Sequence, residues 1–274
     1  MPTLLLRLAG PLQSWGTTSR YDERDSQLEP SKSGVLGLLC AALGRDRHLP
    51  VDDLARLRMG VRVDREGVRV RDFQTVQGVL KRDGKADADS TIISPRYYLS
   101  DAVFLVGLEG DEVDFLRSLQ AALHRPVWPI FLGRRSCPPG LPVALPDGVC
   151  DTSLEETLRR HPLLVGGEEG ARPLRVVLEN PDDGEGALRL DQPIAPFAER
   201  RFGARFVRSE VWTCPLSCAG WCSIRATMPR AVTWQTPMRC TRRSRASLPS
   251  TRMLRQRAFS GAWSRAGRSI GPPS

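Results

Sequence analysis

Beyond residue 212 the sequence contains no aspartate, no glutamate and no lysine. Residues 213–274 hold 11 of the 40 basic residues, all arginine, and none of the 31 acidic ones. Residues 1–212 are therefore slightly acidic, with 29 basic against 31 acidic residues and a net charge of −2, although the whole chain stands at +9. That excludes a body that attracts polyanions through its overall field; such a ligand has to meet local patches. Histidine is nearly missing. His48, His124 and His161 are the three present, each beside arginine or proline in loop-like sequence, with no metal-ligand spacing and no neighbouring nucleophile. No apolar run is long enough for a membrane span, since the longest, opened by Val35, is about half of what a bilayer requires. The first residues lack a basic n-region, so no signal peptide is expected. The seven cysteines follow no disulfide-framework spacing in residues 1–212, which points to a reducing, cytoplasmic setting. Lys32-Ser33 lacks the G-x-x-x-x-G-K-[ST] frame around it, which excludes a P-loop NTPase. No metal and no cofactor are expected.

The composition shifts at about Thr213. Arg, Ser, Pro, Trp and Cys crowd in, and no stretch keeps a helical or strand period. Three readings stand for residues 213–274. A basic disordered RNA-binding arm fits the charge but not the isolated tryptophans. A zinc site from Cys214, Cys218 and Cys222 needs a helix that Pro215 and Gly220 oppose. A slipped reading frame near Trp212, in GC-rich DNA, accounts for the loss of acids and lysine together with the gain of arginine, serine, proline and cysteine, and is the reading favoured here.

The body is patterned. Leu4-Leu5-Leu6-Arg7-Leu8 reads as a buried strand, followed by Ala9-Gly10-Pro11-Leu12-Gln13-Ser14-Trp15-Gly16. Pro30-Ser31-Lys32-Ser33-Gly34 opens a helix through Leu43, closed by Gly44. A helix mouth with free N–H groups beside Lys32, Ser33 and Gly34 suits a phosphate. Pro50-Val51-Asp52-Asp53 starts a second, short helix. Val61-Arg62-Val63 and Val68-Arg69-Val70-Arg71 read as the two arms of a hairpin, valines on one face and Arg62, Arg69 and Arg71 on a solvated one. Phe73–Leu80 and Thr91–Leu99 flank a polar segment and read as a long excursion, at about 76–98. Ala102–Leu108 is a strand, Val113 to Leu123 an amphipathic helix, and Trp128–Leu132 a further strand. Residues 141–212 read as an acidic linker around Gly166–Gly170, a strand at Leu174–Leu178, a turn at Asn180–Gly186 and a closing strand near Phe206–Trp212.

Strand, helix, hairpin strands, helix, strand is the βαββαβ ferredoxin-like plan, an α+β plan shared with RNA-recognition domains. The expected organisation is a palm over 1–140, a smaller β-rich subdomain over 141–212 and an aberrant tail over 213–274. Gly133-Arg134-Arg135-Ser136 reads as a binding loop whose backbone approaches a phosphate while guanidinium forks grip it; one arginine paired with a body carboxylate is the bland account. Trp15 either stacks a base or packs in the core. Arg96-Tyr97-Tyr98 joins a cation to two rings. Tyr97, Tyr98 and His124 are conceivable ribonuclease groups, yet no spacing brings them together.

At Leu6–Gly16, Pro30–Leu38, Asp72-Phe73-Gln74-Thr75-Val76, Tyr98-Leu99-Ser100-Asp101-Ala102 and Phe131–Pro138 the chain resembles, in order and spacing, the CasD family, the five-type subunits of the subtype I-E CRISPR surveillance complex Cascade. Weaker similarity continues to about Trp212. The resemblance implies a palm of the RAMP superfamily with a protruding β-hairpin thumb. It implies a non-catalytic subunit in antiviral defence that holds the 5′ handle of the CRISPR RNA, touches target DNA only indirectly, and lies beside the backbone subunit CasC and the large subunit CasA. The cutting is left to CasE, whereas a subtype I-C relative is itself a metal-independent endoribonuclease, the alternative here. On this reading Lys32, Ser33 and Gly34 face Arg134, Arg135 and Ser136 across the handle. Arg96 and Tyr97 hold the guide, and Gln13 and Trp15 read or stack a base.

Overall fold

The computed structural model describes residues 1–17, 23–80, 86–165, 172–180 and 185–214. The chain divides into Met1–Ser223 and Ile224–Ser274, and every described residue belongs to the first unit. The arginine-rich stretch beyond Cys214, with Cys218 and Cys222, the acidic linker at 166–170 and most of the turn after Asn180 lie outside the described residues.

Both sides of strand β1 (Thr3–Ala9) are covered, which is why its sequence is almost continuously apolar instead of alternating. Leu4, Leu6 and Leu8 point into the larger core, and Leu5 into a second core on the opposite side. The larger core lies under helices α1 (Lys32–Leu43) and α3 (Val113–His124); the second lies under α4 (Leu154–Arg160). Strands β3 (Arg58–Arg65), β6 (Val103–Glu109), β7 (Ala144–Cys150), β8 (Arg172–Glu179), β9 (Ala187–Pro193) and β10 (Phe202–Cys214) complete a seven-stranded sheet ordered β7-β1-β6-β3-β8-β10-β9. Its neighbours pair antiparallel. The architecture is a mixed α/β fold with a mainly antiparallel sheet. A short helix α2 (Asp52–Ala55) precedes β3. A separate three-stranded sheet joins β2 (Leu12–Gln13), β5 (Ala86–Ser100) and β4 (Val68–Leu80) in the order β2-β5-β4. Among the described residues no helix is long and apolar enough to cross a membrane.

Several elements differ from the sequence reading. β3 and β4 do not pair with each other. β3 lies between β6 and β8, and β4 runs along β5 from Val68 opposite Ser100 to Leu80 opposite Ala86. The hairpin therefore begins well before residue 76. Arg62 is buried, not solvated: its guanidinium grips Asp64 and donates to the carbonyls of Leu158, His161 and Pro162, tying the end of α4 to the sheet. Trp128–Leu132 forms no strand. Pro126 and Pro129 remove donors there, and the N–H groups of Val127 and Trp128 instead donate to the carbonyls of Ala42 and Ala41 at the end of α1. The strand that follows α3 is β7, beside β1 on the far edge of the same sheet, so a boundary at residue 140 cuts through the sheet. Its Pro146-Asp147-Gly148 disguised it. α4 was missed although Ser153 and Glu156 spell its N-cap, where the Ser153 hydroxyl accepts from the Glu156 N–H.

α4 is also held at its start by Arg58, which donates to Glu155 and to Glu109. Burial pushes the Glu155 carboxyl up, but the bonds from Arg58 and from the helix backbone outweigh it and hold the group below its ordinary 4.5. The folded value lies below the unfolded one. Its stabilisation is therefore present above the ordinary carboxylate range and is lost as pH falls through the folded value. Melting temperature should decline on acidification below about pH 4.5, and a Glu155→Gln variant should show a shallower decline.

Candidate nucleic-acid interface

The loop Gly133–Cys137, the entry to α1 and the root of the β4–β5 hairpin are assembled around one tryptophan. Trp15 is 1% exposed. Its Cε3 lies 2.9 Å from the place a Cβ on Gly34 would take, and 3.5 Å from the corresponding place on Gly133. The two loops that the sequence singled out thus converge on one buried ring, at the same atom. Trp15 packs, and its indole N–H donates to Gln13 Oε1 at 3.1 Å. The Gln13 amide donates to the carbonyls of Leu8 and Ala102, joining the end of β1 to the start of β6. Both side chains are buried. Both were expected to read or stack a base; here their polar atoms are engaged inside the protein.

The helix mouth also differs from expectation. Its anion is supplied from within. The Lys32 N–H donates to Asp191 Oδ2 at 2.7 Å, and Ser31 Oγ accepts from the Gly34 N–H. Lys32 itself is 1% exposed, with its ammonium 2.8 and 3.0 Å from the two oxygens of Glu179. Burial pushes the Lys32 pKa down, and Glu179 only partly restores it. Arg205 closes the network on Asp191, and the N–H of Met59 donates to Glu179. Lys32 is therefore a bond between α1 and strands β8 and β9, turned away from the surface. Ser33 and Gly34 are half-buried at the same entry.

The arginine loop turns on a glycine. Gly133 has φ +84, and a Cβ there would sit 1.7 Å from the Ser14 carbonyl oxygen; the Ser14 N–H donates to Leu132. Only glycine fits. Gly133→Ala is expected to cost about 1–3 kcal/mol through backbone strain alone, about 2–12 °C in melting temperature, and to loosen the loop; thermal unfolding checks it. Arg134 lies over the Tyr98 ring at 4.8 Å and donates to the carbonyls of Arg24 and Asp25. Arg135 and Ser136 are exposed.

Arg24 runs beside β5 as one extra residue of strand. Its N–H donates to Pro95, and its carbonyl accepts from Tyr97 and from Arg134. Arg96 sits next to it, and on the other side of the hairpin Arg69 stacks over Tyr97 at 4.4 Å, with Arg71 at 6.0 Å. Tyr97 and Tyr98 point to opposite faces, as neighbours in a strand must, so they do not converge on a scissile bond. Elsewhere several arginines are matched with carboxylates: Arg62 with Asp64, Arg175 with Glu29 and Glu66, Arg189 with Glu29, Arg205 with Asp191. Arg24, Arg69, Arg71, Arg96, Arg134 and Arg135 form no ion pair among the described residues. Buried Arg96 Nε and Arg134 Nη1 have no hydrogen-bond partner there either. Six arginines without a carboxylate partner among the described residues thus stand together at this one place. Sequence reasoning missed Arg24 and set aside Arg69 and Arg71; their alternation opposite Tyr97 was the available signal. No group of three or more metal-ligating side chains occurs among the described residues.

Comparison with known proteins finds relatives of the chain. A family model described as CRISPR-associated protein (Cas_Cas5) matches residues 3–208. The CRISPR system Cascade subunit CasD of Escherichia coli (strain K12) is 35% identical over 178 residues, which covers 60% of this chain and 79% of that protein. A solved structure described as a Cas protein is 51% identical with a TM-score of 0.63, covering 77% of this chain and 95% of its own. A chain of a CRISPR RNA-guided surveillance complex is 33% identical with a TM-score of 0.65, covering 78% and 91% respectively.

Proposed function

The chain belongs to the CRISPR-associated protein (Cas_Cas5) family, and from that membership we propose that it holds the 5′ handle of CRISPR RNA, without cutting it, as a Cascade subunit in the prokaryotic cytoplasm. The observation that carries the RNA contact is the unmatched arginine set at the hairpin root. Buried guanidinium N–H groups left without acceptors favour a ligand that supplies them, and phosphate oxygens do so in bidentate fashion. Arg134, Arg135 and Ser136 on the loop, with Arg24, Arg96 and Tyr97 on the hairpin, form the contact surface. Gln13, Trp15, Lys32, Ser33 and Gly34 hold that surface in place from beneath.

We read β7-β1-β6-β3 with α1 and α3 as a ferredoxin-like palm, since that strand order and the two crossing helices are what the plan requires. The β4–β5 hairpin is its thumb, and β8, β9 and β10 are the β-rich extension. CasC and CasA are the expected neighbours.

Co-expression with the other Cascade subunits and a guide RNA tests the reading. The chain should copurify with the assembled complex, and the isolated chain should bind handle RNA. Incubation with repeat RNA in EDTA should leave the RNA intact; cleavage there would instead establish the endoribonuclease alternative.

A further inference from the structure

The hairpin carries a second surface that RNA does not explain. On β5, Pro95 and Tyr97 turn their backbone groups toward Arg24, and the Tyr97 carbonyl also accepts from Ser14 Oγ. Backbone groups in an antiparallel strand alternate sides. The residues of β5 that bond β4 are therefore Ser94, Arg96 and Tyr98, and their partners on β4 are Gln74, Asp72 and Val70. By the same alternation Arg69, Arg71, Phe73 and Thr75 direct both N–H and C=O away from β5. β4 ends its sheet, and none of these groups has a backbone partner among the described residues. Pro95 fits the scheme, because it sits where no ladder donor is needed.

This free edge is long and apolar at its flanks. Val68 is 67% exposed and Phe73 59%, with Val70 and Val76 also exposed. Such an edge is a template for another strand unless it is covered. We propose that β4 receives an extended segment of a neighbouring protein subunit as an added strand, with acidic side chains opposite Arg69 and Arg71 and apolar ones opposite Val68 and Val70. The proposal rests on the reading of the chain as a Cascade subunit, which gives it protein neighbours. A nucleic-acid strand has no N–H and C=O ladder to match the edge and would leave the valines bare. A second copy, joined antiparallel edge to edge, would extend the same faces and add its own Arg69 and Arg71 to the arginine side, doubling like charge. An acidic partner strand neutralises it.

Thr75→Pro tests this directly. It removes one outward N–H and no bond of the β4–β5 ladder, a position where edge strands accept proline. Thr75→Ala, which keeps the N–H, is the control. Each full-length variant is co-expressed with the other Cascade subunits and guide RNA, and its share in the purified complex is measured beside thermal unfolding and handle-RNA affinity of the isolated chain. Thr75→Pro should enter the complex at least tenfold less well at limiting subunit, with melting and RNA affinity unchanged, while Thr75→Ala should assemble normally. Normal assembly of Thr75→Pro overturns the proposal. So does a loss of RNA affinity, which would make the edge an RNA site, or a wild-type dimer that Thr75→Pro dissociates, which would make a second copy the occupant. If the wild-type chain itself fails to join the complex, the Cascade reading fails, a separate outcome.

Discussion

Replacing Lys32 by alanine is expected to lower the melting temperature by roughly 6–20 °C, from about 3–5 kcal/mol at about 2–4 °C per kcal/mol for a domain of this size. The reason is what remains behind. Glu179 is 15% exposed, and without its ammonium partner it keeps only the Met59 N–H and Arg205 at 3.8 Å to offset a charge largely removed from water. The network is costly to build, as the downward push on Lys32 shows, so the loss comes from breaking it halfway. Lys32→Met combined with Glu179→Gln should therefore regain much of the stability, because glutamine still accepts from Met59 and no lone charge is left. Handle-RNA affinity of the double variant should stay within about twofold of wild type at temperatures where both are folded. Had Lys32 been a phosphate contact, the double variant would be stable and would bind poorly. Thermal unfolding and RNA titration of the same two proteins decide between these outcomes.

Charge reversal of Arg134 and Arg135 together should abolish measurable handle binding at moderate salt. Two charge-assisted contacts at about 1.5–3 kcal/mol each correspond to at least about a hundredfold loss, before the repulsion of the introduced carboxylates. Arg134 also holds Arg24 through its carbonyl, so its reversal is expected to disturb the hairpin root as well. Arg135 is exposed and makes no such bond. Arg135→Glu alone should therefore keep the wild-type melting temperature, weaken binding about tenfold, and lower the salt slope of the affinity by about one. Unchanged affinity of Arg135→Glu would remove the loop from the contact surface.

How much of this was legible in the residues depended on whether a signal was local. The helix at Lys32–Leu43 carries its own cap in Ser31 and its own stop in Gly44 at φ +66, and the sequence showed the opening stretch and the stop. The arginine loop announced itself through Gly133, which its surroundings require. Arg62 could not be read, because its exposure is decided by α4 and the turn after it, about a hundred residues away. Lys32 misled for a related reason. A lysine at a helix mouth has the chemistry of a phosphate site, and only the arrival of Asp191 and Glu179 from the far edge of the sheet fills that site internally. β7 was hidden by Pro146 and Gly148, which the edge of a sheet tolerates and its centre does not. The hairpin was visible as an excursion, but the pairing of β4 with β5 in place of β3 is a tertiary choice that alternating valines and arginines do not encode.

The most direct test of the central claim is ultraviolet crosslinking of guide RNA with its 5′ handle to the full chain, with the modified peptides identified by mass spectrometry. Handle-linked adducts should fall on Tyr97 and on the segment from Arg134 to Cys137. Adducts confined to strands β8, β9 and β10, with the hairpin root unmodified, would contradict it.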